Sequence, residues 1–343
     1  MERMSLSSPE SRISQRDVTS KRVMERMSLS SPEIGSSPRD VASNREGESR
    51  DRGRGGALAG PALGRDAARL LVCPTCQGPL AHDGVRGGES LRDGWMHCIG
   101  CRARWAVRDG LPRLYREEAV RGTDRLLRRL YDSFAKLHDP ATALAMPLLQ
   151  GTTESKARDR IFARLSLGTL ERRKDGRPPR ILEVGIGTGA NLPWIRRETP
   201  AGLDAEVWGV DLSEGMIAEC RRRVAKARTT LSLVMADAHS LPFPNGCFDR
   251  VIDVGGIGGY ADPGKALREM VRVARPGSPV VVVDEQLDRR HGESWLHRAA
   301  FRALTFYSED PRCPREHVPA GATEVIEEQI SAYYYCLSFR TPK

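Results

Sequence analysis

The 343-residue chain has no long apolar run. Its longest aliphatic stretch is Val280–Val283, far short of the roughly 18 residues a membrane-spanning helix needs. The first thirty residues carry charge throughout and hold no apolar segment of the secretory-signal kind. These two absences predict a soluble, cytoplasmic protein. Glycine follows no collagen period, and aromatic residues are only 6% of the chain. Lysine is scarce as well: 7 of the 54 basic residues, against 47 arginines. That bias fits a skewed genome composition as well as a polyanionic partner, so the net charge of +9 is a weak pointer on its own. Its placement says more. Residues 119–180 carry an excess of seven positive charges, whereas residues 181–343 are slightly acidic.

A chain of this length holds about two domains. Residues 1–66 are rich in Ser, Arg, Glu and Gly. MERMSLSSPE at Met1–Glu10 recurs at Met24–Glu33, a period of 23. Two copies with so few apolar residues build no stacked core, so the segment reads as a disordered tail. A compact module is expected over residues 67–118, a helical extension over 119–178, and the main domain over 179–343. In the extension, Leu126, Leu127, Leu130 and Phe134 fall at helical spacing.

From Arg180 the pattern alternates strand and helix. Strands are expected at Arg180–Val184, Glu206–Asp211, Leu231–Asp237, Phe248–Asp253 and Ser278–Asp284. Helices are expected at Ser213–Lys226 and Pro263–Ala274. Glu324–Ile330 and Tyr333–Arg340 suit a terminal antiparallel hairpin. Such alternation predicts an α/β fold, a parallel sheet covered on both faces.

Glu183-Val-Gly185-Ile-Gly187-Thr188-Gly189-Ala190 closes a strand and opens a helix, the setting of a nucleotide-binding loop. Gly185, Gly187 and Ala190 also satisfy the dinucleotide pattern, and Asp211 at the next strand end suits ribose hydroxyls in either case. Two features separate the readings. Glu183 sits inside the strand end, where a carboxylate opposes a pyrophosphate but suits an ammonium and a sulfonium. Asp237-Ala238 closes the third strand, where an acid can accept from an adenine amino group.

At these residues the sequence resembles the class I S-adenosylmethionine (SAM)-dependent methyltransferases. LEVGIGTG, VDLSEGM, ADAHSLPFPNGCFDRV and REMVRVARPGSPVVVVDE occur in that family's order. The resemblance implies a Rossmann-like, seven-stranded, mostly parallel sheet with one antiparallel strand. It also implies that Glu183, Gly185, Gly187, Thr188 and Gly189 line the methionine end, that Asp211 and Leu212 meet the ribose, and that Asp237 and Ala238 meet the adenine. YDSFAKLHD, with Tyr131, and the style of GTGANLP resemble the ubiquinone/menaquinone C-methyltransferase and phospholipid N-methyltransferase groups. There the tyrosine lies over the cofactor.

Cys73-x2-Cys76 and Cys98-x2-Cys101 have four-thiolate zinc spacing. With all four positions filled the ion is structural. CPTCQGPL and HCIGCRARWAVRDGLPRL resemble the small zinc ribbon of the tRNA-methyltransferase activator family and the N-terminal ribbon of the rRNA guanine-N1 methyltransferases. Such a ribbon binds RNA, holds a partner or braces the catalytic domain.

Candidate catalytic groups lie after the fourth strand, in Asp253-Val-Gly-Gly-Ile-Gly-Gly-Tyr260. The loop lacks both the Asn/Asp-Pro-Pro-Tyr signature of base-amino methylation and the Pro-Cys nucleophile of cytosine-C5 enzymes. Asp253 and Tyr260 are its polar groups, equally suited to a strand-end cap and a packing aromatic. The insert over residues 285–322 carries Trp295, Leu296, Phe301, Leu304, Phe306 and Tyr307, placed to cover an apolar acceptor. The expected function is therefore SAM-dependent methylation of a small apolar or lipid-like molecule. The alternative is methylation of RNA or a translation-related protein, recognised through the ribbon and the basic region.

Overall fold

The computed structural model describes residues 62–82, 90–91, 93–227, 230–290 and 294–343. The tail and its repeat, residues 1–61, lie outside the described residues, as do residues 291–293 of the insert. The N-terminal module holds α1 (Arg65–Ala68), β1 (Leu80–His82), β2 (Gly94–Cys98), β3 (Arg104–Arg108) and β4 (Leu111–Leu114). Two helices follow, α2 (Gly122–Gln150) and α3 (Glu154–Leu165). The alternating region runs β5 (Arg180–Val184), α4 (Leu192–Glu198), β6 (Glu206–Asp211), α5 (Glu214–Ala227), β7 (Ser232–Ala236), β8 (Arg250–Val254), α6 (Pro263–Val273) and β9 (Pro279–Glu285). The chain closes with α7 (Trp295–Leu304), β10 (Thr323–Gln329) and β11 (Tyr334–Arg340).

The strands form one sheet in the order β1-β2-β3-β4-β7-β6-β5-β8-β9-β11-β10. The expected seven strands are its part from β7 to β10. Within it β7, β6, β5, β8 and β9 are parallel, and β11 runs antiparallel to both β9 and β10. The sheet has eleven strands rather than seven because the small module does not stand apart. Its β4 pairs in parallel with β7, Arg113 opposite Met235 and Leu114 opposite Ala236.

The period of two along each central strand divides the core. Leu182, Val184, Val210, Val280 and Val282 face one layer with Leu267 and Met270 of α6. Ile181, Leu233, Met235, Val281 and Val283 face the other with Ile161, Phe162 and Leu165 of α3 and Ile217 and Val224 of α5. At the N-terminal ends of β5 and β8, Asp249 accepts from Arg173 at 2.6 and 2.9 Å, from the Arg180 N–H at 2.8 Å and from Arg275 at 3.1 Å.

The helical spacing in the extension is real, but only Leu127 of its four residues faces inward. Leu127 and Ala135 are buried, whereas Leu126, Leu130 and Phe134 are 49%, 41% and 36% exposed. The helical run also breaks once, at Gly151, which caps α2 in the left-handed region (φ 64°). No helix among the described residues is long and apolar enough to cross a membrane.

Candidate active site and cysteine site

A cavity of about 250 Å³ opens at the C-terminal ends of the parallel strands. Tyr131, Glu183, Gly185, Gly187, Thr188, Asp211, Leu212, Asp237, Ala238 and Tyr260 all line it. Gly189 and Asp253 do not. Gly189 turns the chain behind the cavity (φ 72°), and a Cβ there would lie 2.8 Å from Cys220 Sγ.

Three acids mark three successive strand ends. Glu183 is buried, and its Oε1 accepts from Asn191 Nδ2 at 2.6 Å. Its Oε2 is buried with no protein partner. Burial raises Glu183 to about 7, against the opposing pull of the Asn191 hydrogen bond and the Arg158 charge. Asp211 accepts from the N–H of Gly187 and of Ser213, both at 2.8 Å. Each of its oxygens keeps a lone pair for a ligand hydroxyl. Asp237 Oδ1 accepts from the His239 N–H at 2.9 Å and contacts His239 Nδ1 at 2.6 Å. His239 Nε2 accepts from the Asp262 N–H at 3.1 Å, which leaves Nδ1 as the donor to Asp237. Burial pushes Asp237 up, but these bonds outweigh it and hold the acid below its ordinary range.

The glycine loop passes close to the next strand end. At Gly185 (φ 61°) a Cβ would lie 2.9 Å from Tyr260 Oη, and at Gly256 one would lie 2.6 Å from the same atom. Tyr260 Oη donates to Asp253 Oδ2 at 2.8 Å, and Asp253 Oδ1 accepts from the N–H of Gly256 and Ile257, both at 3.1 Å. Asp253 is fully buried and meets the cavity through Tyr260. Burial, with the neighbouring Asp284 charge, raises it to about 8, against the Tyr260 and backbone hydrogen bonds.

Three further aspartates, unforeseen from sequence, join α2 to the loops around the cavity. Asp124 accepts from the Ala261 N–H at 3.2 Å, Asp132 from Ser213 Oγ at 2.7 Å and the Gly215 N–H at 3.0 Å, and Asp139 from Thr188 Oγ1 at 2.8 Å. Spacings of eight and seven place them along one side of the helix. Also unforeseen are Glu285 and Tyr334, which line the cavity beside Tyr307. An acid one residue past an expected strand end was a usable signal for Glu285. Tyr334 is brought in by tertiary pairing alone. In the insert, Tyr307 lines the cavity, whereas Trp295, Leu296 and Phe306 stay exposed.

In the N-terminal module the four cysteine Sγ atoms lie within 4.8 Å of one another. Cys73–Cys101 is 3.7 Å and Cys76–Cys98 is 3.3 Å. A tetrahedral ion with bonds of about 2.3 Å places its sulfurs about 3.8 Å apart, so the donor set fits zinc. The two knuckles repeat one backbone pattern. Cys73 N–H donates to Gly78 O and Gln77 N–H to Cys73 O; Cys98 N–H donates to Ala103 O and Arg102 N–H to Cys98 O. Gln77 (φ 58°) and Arg102 (φ 61°) both turn left-handed after the second cysteine. The module packs on the loop bearing Asp237: Val72 N–H donates to Pro242 O at 3.0 Å, Ser240 Oγ to Pro74 O, and Arg272 to Gln77 Oε1 at 3.3 Å.

Comparison with known proteins agrees with this geometry. Residues 181–277 match the family model described as a methyltransferase domain. The demethylmenaquinone methyltransferase of Thermus thermophilus is 38% identical over 130 residues, 38% of this chain and 58% of that protein. A phosphatidylethanolamine N-methyltransferase of Cereibacter sphaeroides is 34% identical over 112 residues, 32% of this chain and 52% of that protein. The chain thus spans about half the length of these curated relatives. A solved SAM-dependent methyltransferase from Aquifex aeolicus superposes with a TM-score of 0.42 at 18% identity, over 61% of this chain and 97% of that one.

Proposed function

We propose that the protein is a SAM-dependent methyltransferase acting on a small apolar or lipid-like acceptor. The observation that carries this reading is the placement of Glu183, Asp211 and Asp237 at successive strand ends around one cavity. Glu183 Oε2, buried without a protein partner, supports an ammonium there. Asp211 holds the ribose hydroxyls, Asp237 accepts from the adenine amine, and Tyr131 covers the cofactor from α2. The bound cofactor supplies an electrophilic methyl group on a sulfonium. The chain supplies position and dryness: Gly185 and Gly256 bring two backbone turns together at the reacting end, and Tyr260 fills the space between them.

The four cysteines hold a structural zinc ion that braces the Asp237 loop. The quinone and lipid methylations named for the relatives favour the small-molecule reading. Many arginines of the basic region are engaged inside the fold: Arg128 with Glu117, Arg158 with Glu154, Arg160 and Arg164 with Glu328, and Arg173 with Asp249.

The test incubates zinc-loaded protein with methyl-labelled SAM and total cell extract, followed by separation of lipid, RNA, protein and small polar fractions. Label in the organic fraction, lost in Asp211→Ala, is the expected result. Label confined to RNA or protein overturns the small-molecule reading.

A further inference from the structure

The half of the cavity beyond Gly185 has an unusual charge balance. Glu285 Oε2 accepts from Tyr307 Oη at 2.7 Å, and Oε1 accepts from Tyr334 Oη at 3.3 Å. Asp284 lies directly behind, its oxygens held by the N–H of Glu285 and Gly258, both at 2.8 Å, and Asp253 lies at the end of the neighbouring strand. The basic side chains that line the cavity are engaged elsewhere. Arg128 donates to Glu117, Arg158 to Glu154 and Asn191, and His138 is held by Asp139. Three carboxyls, Asp253 and Asp284 buried and Glu285 partly so, therefore share this region with no cationic partner among the described residues. Tyr131 supplies an independent observation. It is half-buried, lines the cavity, and its hydroxyl has no hydrogen-bond partner among the described residues. It shares the cavity lining with Asp211 and Glu285.

Resting on the methyltransferase reading above, we infer that the acceptor is an apolar molecule bearing an amine, held as its ammonium by Glu285 among Tyr131, Tyr307 and Tyr334. Aromatic faces and a carboxylate attract a cation strongly once water is excluded. A phenolate or an enolate, the anionic form through which oxygen and carbon acceptors react, finds no free cationic partner here. Without a cation, burial and Asp284 hold Glu285 toward its neutral form; an arriving ammonium displaces that proton. For transfer, the ammonium returns one proton to Glu285, exposing the nitrogen lone pair. That pair forms the N–C bond while the S–C bond breaks with its electrons staying on sulfur. The positive charge of the sulfonium ends on nitrogen, inside the acidic pocket, and the Glu285 proton leaves to solvent. Glu285 is the specificity-determining residue in this scheme.

The experiment uses the full zinc-loaded chain. SAM and S-adenosylhomocysteine affinities are first measured by calorimetry. A dodecyltrimethylammonium ion is then titrated against the protein saturated with S-adenosylhomocysteine, beside its neutral isostere with a tert-butyl head group. The ammonium is expected to bind at least about tenfold tighter. Glu285→Gln removes the preference, and Tyr307→Phe, which keeps the ring, reduces it. Dodecylamine is expected to accept label from SAM in preference to a matched alkylphenol. Equal binding of the two isosteres, or preferential labelling of the phenol, overturns the amine assignment and leaves the methyltransferase reading intact. Absence of any SAM binding overturns both.

Discussion

The packing of the four-cysteine module on the Asp237 loop makes metal removal a test of cofactor binding. Cys76→Ser, or chelation, removes one or all thiolate–metal bonds and frees both knuckles. The loop then loses the Val72 N–H to Pro242 O bond and the Ser240 to Pro74 bond, while α6 loses the longer Arg272–Gln77 contact. At a net value of about 1 kcal/mol for each of the first two, ordering the loop costs about 2 kcal/mol more in the metal-free protein. At 1.4 kcal/mol per tenfold, S-adenosylhomocysteine affinity falls by about 20- to 30-fold. The assay is calorimetric titration with and without chelator, with circular dichroism confirming that the α/β region stays folded. Ser240→Ala, which removes one bond and keeps the metal, is expected to weaken binding about fivefold. An affinity unchanged within twofold after complete metal loss would refute the bracing role.

Four further outcomes follow from the same geometry. Because the folded values of Glu183 and Asp253 are raised from 4.5 to about 7 and from 3.8 to about 8, their contribution to stability is fully present below about pH 4 and is lost as pH rises through those values. Denaturant midpoints of wild type minus Glu183→Gln are expected to decline between pH 4.5 and 7. SAM affinity should rise by up to about tenfold per pH unit toward pH 7 and flatten above it, because Glu183 must ionise to meet the ammonium; Glu183→Gln should abolish the slope in the same titrations. Gly256→Ala places a Cβ 2.6 Å from Tyr260 Oη and 2.9 Å from Asp253 Oδ2, so a loss of labelling rate of about a hundredfold is expected, with zinc content unchanged. Asp249→Ala leaves Arg173 and Arg275 without their shared acid and costs about 3 kcal/mol in urea unfolding, with S-adenosylhomocysteine affinity per folded molecule preserved.

The central strands were legible because their signals are local. Arg180–Val184 and Glu206–Asp211 match the expected bounds residue for residue, and the cavity-lining residues at their ends sit in motifs with fixed spacing. The four cysteines were legible for the same reason. The inward face of α2 was not. Two apolar registers run along that helix, and leucine spacing alone favours the one holding Leu126, Leu130 and Phe134. The choice is made by Asp124, Asp132 and Asp139, whose partners come from three distant loops. β1, three residues long, is too short to carry a period, and the join of β4 to β7 has no sequence signature. Tyr260 was found, but its position in front of Asp253 depends on the close approach of Gly185 and Gly256, which only tertiary packing produces.

The join of the cysteine module to the sheet has a consequence for self-association. An open parallel sheet would end at β7 with a row of unpaired N–H and C=O groups, a template for strands from other chains. Here the row is taken up by β4 and passed on through β3 and β2 to β1. There it ends in a strand of three residues, too short to recruit another. The opposite rim, β10, carries Glu324, Glu327 and Glu328 along its seven residues, paired with Arg340, with Arg315 and with Arg160 and Arg164 respectively. The cysteine module thereby continues the sheet past β7 as well as contacting the loop that bears Asp237.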